Sequence, residues 1–172
     1  DLVVLCDVSE SMRQVTRLML LFLGTLQAEA RRVRTFVFVD QVAEVTGPLR
    51  GGGGGAGAAD LAAVDRALPR SGNSAYGRVL RAFVRDHLAA VTRRTTVIVI
   101  GDGRTNYAPP ETWALAEIRR RARRVLWICP EPRARWGEGD SEMTRYAAHC
   151  DRVATVERLA DLEGLADALV PR

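Results

Sequence analysis

Lysine is absent from the 172-residue sequence, in which all 25 basic residues are arginine. We attribute this mainly to a compositional bias, because the chain is also rich in Ala, Gly and Leu. The absence excludes a nucleotide-binding P-loop at the glycine-rich run 51–59, since such a loop ends in a Lys followed by Ser or Thr. We therefore predict a flexible surface loop at 51–59.

Long hydrophobic runs are also absent. The apolar segment Leu18–Leu26 is far shorter than the roughly 18 to 20 residues that cross a membrane, and it contains Gly24. The sequence does not begin with Met, and it starts almost on its first predicted strand. We expect a single domain over residues 1–172 that was cut from a longer protein.

Cysteine is scarce, and Cys6, Cys129 and Cys150 do not have the spacing of metal ligands. The first two lie in apolar, strand-like runs, where a free cysteine behaves as a small hydrophobic residue. We predict reduced, structural thiols, which favour an intracellular and therefore cytoplasmic protein.

Short apolar runs alternate with segments of helical periodicity along the whole chain. The two apolar runs after the first helix are separated only by Asp40-Gln41, which predicts a hairpin with an antiparallel edge strand. The alternation otherwise predicts a doubly wound, Rossmann-like α/β fold, with a mostly parallel sheet and helices on both faces. The predicted strands are 2–6, 34–39, 42–46, 95–100, 125–129 and 152–156, and the predicted helices are 12–30, 60–68, 76–91, a helix from about Pro110 to 119–124, 141–148 and 159–169.

The motif Asp7-Val8-Ser9-Glu10-Ser11 lies where the first strand passes into the first helix. The carboxylate of Asp7 and the hydroxyls of Ser9 and Ser11 stand at alternate positions, so all three can point into one small volume. Oxygen ligands of this kind suit a hard divalent cation such as Mg²⁺ or Mn²⁺. An alternative is that Ser9 and Ser11 only cap the helix.

Two further oxygen-bearing side chains are placed to reach the same edge of the sheet. Asp102 follows the strand 95–100, and Ser74 precedes the helix 76–91. In doubly wound sheets, ligands bind beyond the carboxyl ends of the strands, where the strand order reverses.

The pattern Asp7-x-Ser9-x-Ser11, then Ser74, then Asp102-Gly103 resembles the von Willebrand factor A (VWA) domain over essentially the whole chain. The first motif and the Arg-rich run before Val125-Leu126-Trp127-Ile128 are most similar to the bacterial CoxE-like branch. The resemblance implies a metal-ion-dependent adhesion site (MIDAS) in which the metal bridges two proteins. It also implies a partner of the MoxR-type AAA+ ATPase class, in a complex that remodels or matures another protein, such as a metalloenzyme.

The resemblance also implies roles for the five candidate ligands. Ser9 and Ser11 would bind the cation directly, Asp7 and Asp102 directly or through water, and Ser74 replaces the family's usual Thr. One coordination position would be left for water or for an Asp or Glu of the partner. Glu10 stands where the family usually has Gly, and it could coordinate the cation, repel an acidic partner or point to solvent, which we favour.

Other functions fit the sequence less well. A phosphohydrolase of the haloacid-dehalogenase type needs a second Asp where this chain has Ser9, and it needs a Lys. His87 and His149 have no partner spacing typical of a triad or zinc site, so we interpret them as structural or surface residues. A metal-free structural interaction domain remains an alternative to the metal-dependent interaction module that we predict, and we expect neither catalysis nor a nucleic-acid partner.

Arginines cluster before three predicted strands, at positions 31–34, 93–94 and 119–124. These positions lie at the amino ends of the strands, opposite the candidate metal edge. They are either solvated helix ends, which the helix dipole favours, or a basic face that docks an acidic partner or nucleic acid.

Overall fold

The computed structural model describes residues 1–12, 32–50 and 73–156. In these ranges the chain forms strands β1–β6, helices α1–α4 and three short 3-10 turns. The strands are Leu2–Asp7, Val33–Phe38, Val42–Glu44, Thr96–Ile100, Arg124–Cys129 and Arg152–Thr155. The helices are Thr46–Arg50, Tyr76–His87, Thr112–Arg121 and Met143–Ala147, and the 3-10 turns are Glu10–Met12, Leu88–Ala90 and Arg133–Arg135.

The six strands form one sheet in the order β3-β2-β1-β4-β5-β6. All neighbours are parallel except β2 and β3, which form the predicted antiparallel hairpin at the edge. The Rossmann-like prediction is therefore confirmed. The order reverses between β1 and β4, where Cys6 pairs with Ile100, so the carboxyl ends of these strands lie side by side.

Strand β1 is buried along its whole length, which explains why its sequence is continuously apolar rather than alternating. Val3 and Leu5 point into one core, and Val4 and Cys6 point into the core on the other face. Helices α2, α3 and α4 cover the Val3 face with buried side chains such as Phe83, Leu115 and Tyr146.

Three boundaries differ from the predictions for local reasons. Strand β3 ends at Glu44, because Thr46 accepts a hydrogen bond from the Thr35 amide at 3.1 Å and begins the unpredicted helix α1. Helix α2 ends at His87 and continues as the 3-10 turn Leu88–Ala90. Helix α3 begins at Thr112 rather than near Pro110, because Glu111 adopts a left-handed φ of 48°.

Several predictions fall outside the described residues: the helices 60–68 and 159–169, the loop 51–59 and, beyond Met12, the helix 12–30. In the part of the chain that is described, no helix combines the length and the apolar character needed to cross a membrane. Cys6, Cys129 and Cys150 are all free thiols. Burial raises the pKa of Cys129 to about 11 and that of Cys6 further, which keeps both thiols protonated.

Some of the described arginines of the predicted basic face have acidic partners. Arg119 pairs with Asp151, and Arg120 pairs with Glu117. Arg94 lies 3.9 Å from the carboxylate of Asp1. These pairs neutralise part of the positive charge, which favours the interpretation as solvated helix ends.

Candidate metal site

Asp7 closes β1, and its carboxylate is buried at the switch point of the sheet. The Ser9 backbone N–H donates to Oδ1 at 2.8 Å. The hydroxyls of Ser74 and Tyr76 both donate to Oδ2, at 2.9 and 2.6 Å. These three hydrogen bonds fix the carboxylate in one orientation, so Asp7 is a preorganised group at the floor of the site.

Asp102 follows β4 and lies beside the 3-10 turn that carries Ser11. The Arg104 backbone N–H donates to Oδ1 of Asp102 at 2.9 Å, and the Ser11 hydroxyl donates to Oδ2 at 2.8 Å. The hydroxyl oxygens of Ser9 and Ser11 are 3.2 Å apart. The structure therefore brings Asp7, Ser9, Ser11, Ser74 and Asp102 together at one edge of the sheet, as their order in the sequence predicts.

Two carboxyl groups are buried in this site. Burial raises the pKa of Asp7 to about 6, although the hydrogen bonds from Tyr76 and Ser9 lower it, and the charge of Asp102 raises it further. The pKa of Asp102 is also raised, again mainly by burial. The ionised pair therefore lacks sufficient compensation from the protein, and a cation would supply it.

The donor set fits a small divalent cation. At a metal–oxygen distance of 2.0–2.1 Å, two oxygens at neighbouring octahedral positions lie about 2.9 Å apart. The Ser9–Ser11 and Ser11–Asp102 oxygen separations, 3.2 and 2.8 Å, are close to this value. In residues 1–12, 32–50 and 73–156, no group of three or more His, Cys, Asp or Glu side chains forms another candidate metal site. Carboxylate and hydroxyl oxygens are the donors that hard divalent cations prefer.

The remaining sequence-based expectations concern Glu10 and the histidines. Glu10 is exposed in the 3-10 turn, as expected. His87 packs with its ring centroid 4.9 Å from that of Phe36 and 5.9 Å from that of Phe83, which is a structural role. The predicted helix 12–30 continues beyond the described residues, so the capping role stays an alternative prediction for the hydroxyls of Ser9 and Ser11.

Sequence reasoning missed Tyr76, which is fully buried and supplies the shortest hydrogen bond to Asp7. Its ring is stacked on Trp127 at 5.7 Å and contacts Phe38 edge-on at 5.1 Å. Sequence reasoning also missed Gly101. Glycine is needed at this position because a Cβ would lie 1.9 Å from the Tyr76 hydroxyl. The only sequence signal was the position of Tyr76, two residues after the candidate ligand Ser74.

Arg104 organises the loops that surround the site. Its guanidinium binds Glu131 through two hydrogen bonds of 2.8 and 2.9 Å, and Asp140 through one of 2.8 Å. The side-chain amide of Asn106 donates to the Ser74 carbonyl at 3.0 Å. These contacts join the loop after β4 to the loop after β5 and to the segment before α2, so the positions of Ser74 and Asp102 depend on each other.

Comparison with known proteins places this arrangement in a family. The model of the family described as VWA-domain-containing CoxE-like proteins matches residues 1–164. A search of curated proteins finds no match.

Solved structures with the same fold include a von Willebrand factor type A protein from Catenulispora acidiphila, with a TM-score of 0.67 at 18% identity. The match covers 98% of this chain and 41% of that chain. Proximal thread matrix protein 1 of the mussel byssus, described as having a zinc-occupied MIDAS motif, has a TM-score of 0.63 at 17% identity. That match covers 98% of this chain and 46% of the mussel protein.

The manganese-loaded TRAP protein of Plasmodium vivax has a TM-score of 0.53 at 16% identity. The match covers 87% of this chain and 61% of that protein. This chain thus spans less than two thirds of each of these three proteins. At such identities the likeness establishes the fold, and the site must be argued from its own residues.

Proposed function

The chain belongs to the family of VWA-domain-containing CoxE-like proteins, and from this premise we propose that it is a metal-ion-dependent protein-interaction module. The observation that carries the proposal is the convergence of two buried carboxylates and three serine hydroxyls at one switch point. Few of these groups are anionic, so a bound cation keeps enough positive charge to bind a carboxylate from outside. The cation supplies Lewis acidity at this edge, and the protein supplies its orientation.

Each candidate ligand has a role in this proposal. Ser9 and Ser11 would bind Mg²⁺ or Mn²⁺ directly, Asp7 and Asp102 would bind it directly or through water, and Ser74 would take the place of the family's usual Thr. The remaining position belongs to an Asp or Glu of a partner protein. The zinc-occupied and manganese-loaded proteins of the same fold support a divalent cation in general.

A binding role is supported by the surroundings of Asp7. Its two carboxylate oxygens accept hydrogen bonds from Ser9, Ser74 and Tyr76, which hold the group in one orientation, as a preorganised ligand requires. A phosphohydrolase would also need an acid–base carboxylate two residues later, where this chain has Ser9. We propose that the module is not an enzyme.

The partner that we propose is a MoxR-type AAA+ ATPase in the bacterial cytoplasm. Their complex would remodel or mature another protein, such as a metalloenzyme. In this proposal, residues 1–172 form one domain that binds the ATPase, and 51–59 form a surface loop of it. The family membership supports this proposal, because the CoxE-like branch is the one associated with such ATPases.

Titration calorimetry with Mg²⁺ and Mn²⁺ tests the metal site. We expect binding to the wild-type protein, loss of binding in Asp7→Ala, and retention in Asp86→Ala, which removes an exposed carboxylate paired with Arg85. Capture of a purified MoxR-type ATPase should be lost in EDTA and in Asp7→Ala. Absence of any cation binding contradicts the proposal, and Mg²⁺-dependent hydrolysis of a phosphoester that Asp7→Ala abolishes would establish the enzymatic alternative.

A further inference from the structure

Residues 105–113, which we call the 105–113 segment, lead from the loop of Asp102 into the first turn of α3. Since β4 runs parallel to β1, the chain that follows β4 emerges at the same edge of the sheet as the candidate metal site. The Asn106 side-chain amide donates to the Ser74 carbonyl at 3.0 Å, which ties the segment to a candidate ligand. A protein that completes the metal site from outside therefore approaches beside this segment.

The segment carries exposed aromatic side chains. Among the residues that the structure describes, two large hydrophobic side chains are exposed, and both belong to this segment: Tyr107, at 83%, and Trp113, at 51%. Tyr and Trp are enriched among the residues that dominate the binding energy of protein interfaces, because a rigid ring buries a large area at a low cost in side-chain entropy. The exposed aromatic area thus lies next to the candidate site rather than scattered over the described surface.

The backbone is strained in the same segment. In the described ranges, three residues other than glycine have a positive φ, and all three lie here: Asn106 at 51°, Tyr107 at 61° and Glu111 at 48°. A turn with a positive φ at both central residues favours Gly, Asn or Asp, whereas a bulky residue rarely adopts this conformation. Strained residues of this kind cluster at binding sites. The turn itself therefore does not account for the Tyr at position 107.

Hydrogen bonds hold the turn in this conformation. The Ala108 amide donates to the Thr105 carbonyl at 3.0 Å, which closes the turn with Asn106 and Tyr107 at its centre. The Asn106 amide donates to the carboxylate of Asp140 at 2.9 Å. The Tyr107 ring is thus presented by a fixed backbone, and a preorganised group loses less entropy when a partner binds.

The charges of the surroundings favour an apolar contact over a cationic one. The carboxylates of Glu111 and Asp140 already pair with Arg81 and Arg104, at 3.5 and 2.8 Å. Arg78 lines the cleft that the segment borders, and its side chain is 65% exposed. A cation of the partner would meet these guanidinium groups, whereas an aliphatic side chain would not. The same cations attract a partner that carries a carboxylate.

We propose that Tyr107 is the apolar anchor of the metal-bridged interface and packs on an aliphatic side chain beside the Asp or Glu of the partner. The inference rests on the proposed function, because that carboxylate places the aliphatic residue next to the segment. The partner is then recognised by a carboxylate and an aliphatic residue together. Two simultaneous contacts discriminate against the many protein surfaces that offer an Asp or Glu alone.

Selection from a displayed library tests the chemistry of the partner. The probes are random peptides with one fixed Glu, selected on the wild-type protein in Mg²⁺ and, in parallel, in EDTA. We expect the peptides that bind only in Mg²⁺ to be enriched in Leu, Ile or Val within a few residues of the Glu. Selection on Tyr107→Gly should lose this enrichment.

The affinity of a selected peptide tests Tyr107 itself. Tyr107→Gly should weaken binding about tenfold, as expected for the loss of an interface anchor. The matched variant Tyr107→Phe keeps the ring and should bind within about twofold of the wild type. Fluorescence anisotropy measures both, and calorimetry should show unchanged Mg²⁺ binding.

The positive φ at residue 107 separates binding from folding. Glycine adopts this conformation freely, so Tyr107→Gly should be no less stable to urea than the wild type although it binds the peptide more weakly. Tyr107→Asn gives a second comparison, because Asn also tolerates a positive φ. It should show the same loss of affinity.

The outcomes distinguish the inference from the proposed function. Mg²⁺-dependent peptides without an aliphatic preference, or with Arg beside the Glu, overturn the inference and leave the proposed function standing. Wild-type affinity in Tyr107→Gly also overturns it. Absence of any Mg²⁺-dependent selection overturns the inference as well, and the proposed function is then decided by cation binding and capture of the ATPase.

Discussion

The Tyr76 hydroxyl reaches Asp7 by passing over Gly101. The hydroxyl lies 2.6 Å from Oδ2 of Asp7, and a Cβ on residue 101 would occupy the same space. The aromatic stack with Trp127 and Tyr146 holds the ring, with centroids 5.7 and 6.0 Å away. The core on this face of the sheet thus ends in one polar atom that positions the central carboxylate of the candidate site.

Removing this hydroxyl in Tyr76→Phe should lower the free energy of unfolding by about 1.5–3 kcal/mol, the usual effect of losing a hydrogen bond to a charged group. The pKa of Asp7 should also rise above about 6, because the Tyr76 hydrogen bond lowers it. Urea denaturation and the pH dependence of stability measure the two effects.

Tyr146→Phe is the matched control. It removes a hydroxyl from the same stack, where it donates to the Pro110 carbonyl at 2.9 Å. We expect a loss of about 1 kcal/mol and no change in the Asp7 pKa. If both variants leave the Asp7 pKa unchanged, the positioning role of Tyr76 is wrong.

Gly101→Ala should be strongly destabilising, by about 1–3 kcal/mol, because its Cβ forces Tyr76 and Asp7 apart. The double variant Gly101→Ala/Tyr76→Phe should lose less than the sum of the two single variants, since the hydroxyl that clashes is already gone. Denaturation of all three variants measures this coupling. Gly47→Ala is the control, because a Cβ at residue 47 would meet no atom within 4 Å. Simple additivity at Gly101 and Tyr76 would contradict the clash.

Glu131→Gln should destabilise the protein by about 1.5–3 kcal/mol, because it weakens the hydrogen bonds to the partly buried Arg104 guanidinium and leaves it with Asp140 as its charged partner. Glu44→Gln breaks a similar two-bond pair with Arg34, but at the surface, with side chains 35% and 42% exposed. We expect a loss below about 1 kcal/mol for that pair. Thermal denaturation of both variants, with limited proteolysis of the loops after β4 and β5, makes the comparison. Equal losses would show that Arg104 does not organise the site.

In EDTA, the contribution of Asp7 to the stability of the protein should fall as the pH rises from about 4 to above 6. The folded state raises the pKa of Asp7 from 3.8 to about 6, so it favours the protonated acid. This contribution is complete below the unfolded-state pKa and is lost as the pH rises through the folded-state pKa, by about 3 kcal/mol in total. The raised pKa of Asp102 acts in the same direction.

Asp7→Asn should remove most of this pH dependence, because an amide does not titrate in this range. The measurement is urea denaturation at steps across the acid-to-neutral range for the wild-type and variant proteins in parallel. The distant carboxyl groups titrate alike in both proteins, so the difference between the two curves reports Asp7 together with Asp102, whose charge interacts with it. Parallel curves would show that the Asp7 pKa is not raised by burial.

The fold could be predicted because its signals are local and repeated. A continuous apolar run such as Leu2–Cys6 indicates a strand buried on both faces, and the alternation with helices implies a parallel sheet. The hairpin after Phe38 follows from the short break at Asp40-Gln41. Helix boundaries were less accurate, because the left-handed φ of Glu111 is set by its surroundings rather than by its residue type.

The sequence by itself determined which candidate ligands meet at the candidate metal edge. Asp7 is the last residue of β1, and Asp102 follows the neighbouring parallel strand β4. The carboxyl ends of neighbouring parallel strands lie together whatever the details of packing. Only the tertiary structure decided what orients them and what surrounds them. Tyr76 contacts Asp7 although 69 positions of the chain separate them, and Ser11 contacts Asp102 across 91 positions. The Oδ1 atom of Asp40 has no hydrogen-bond partner because no donor among the described residues reaches it. Such contacts leave no periodic signal, because they depend on side-chain directions that are settled only when the helices pack on the sheet.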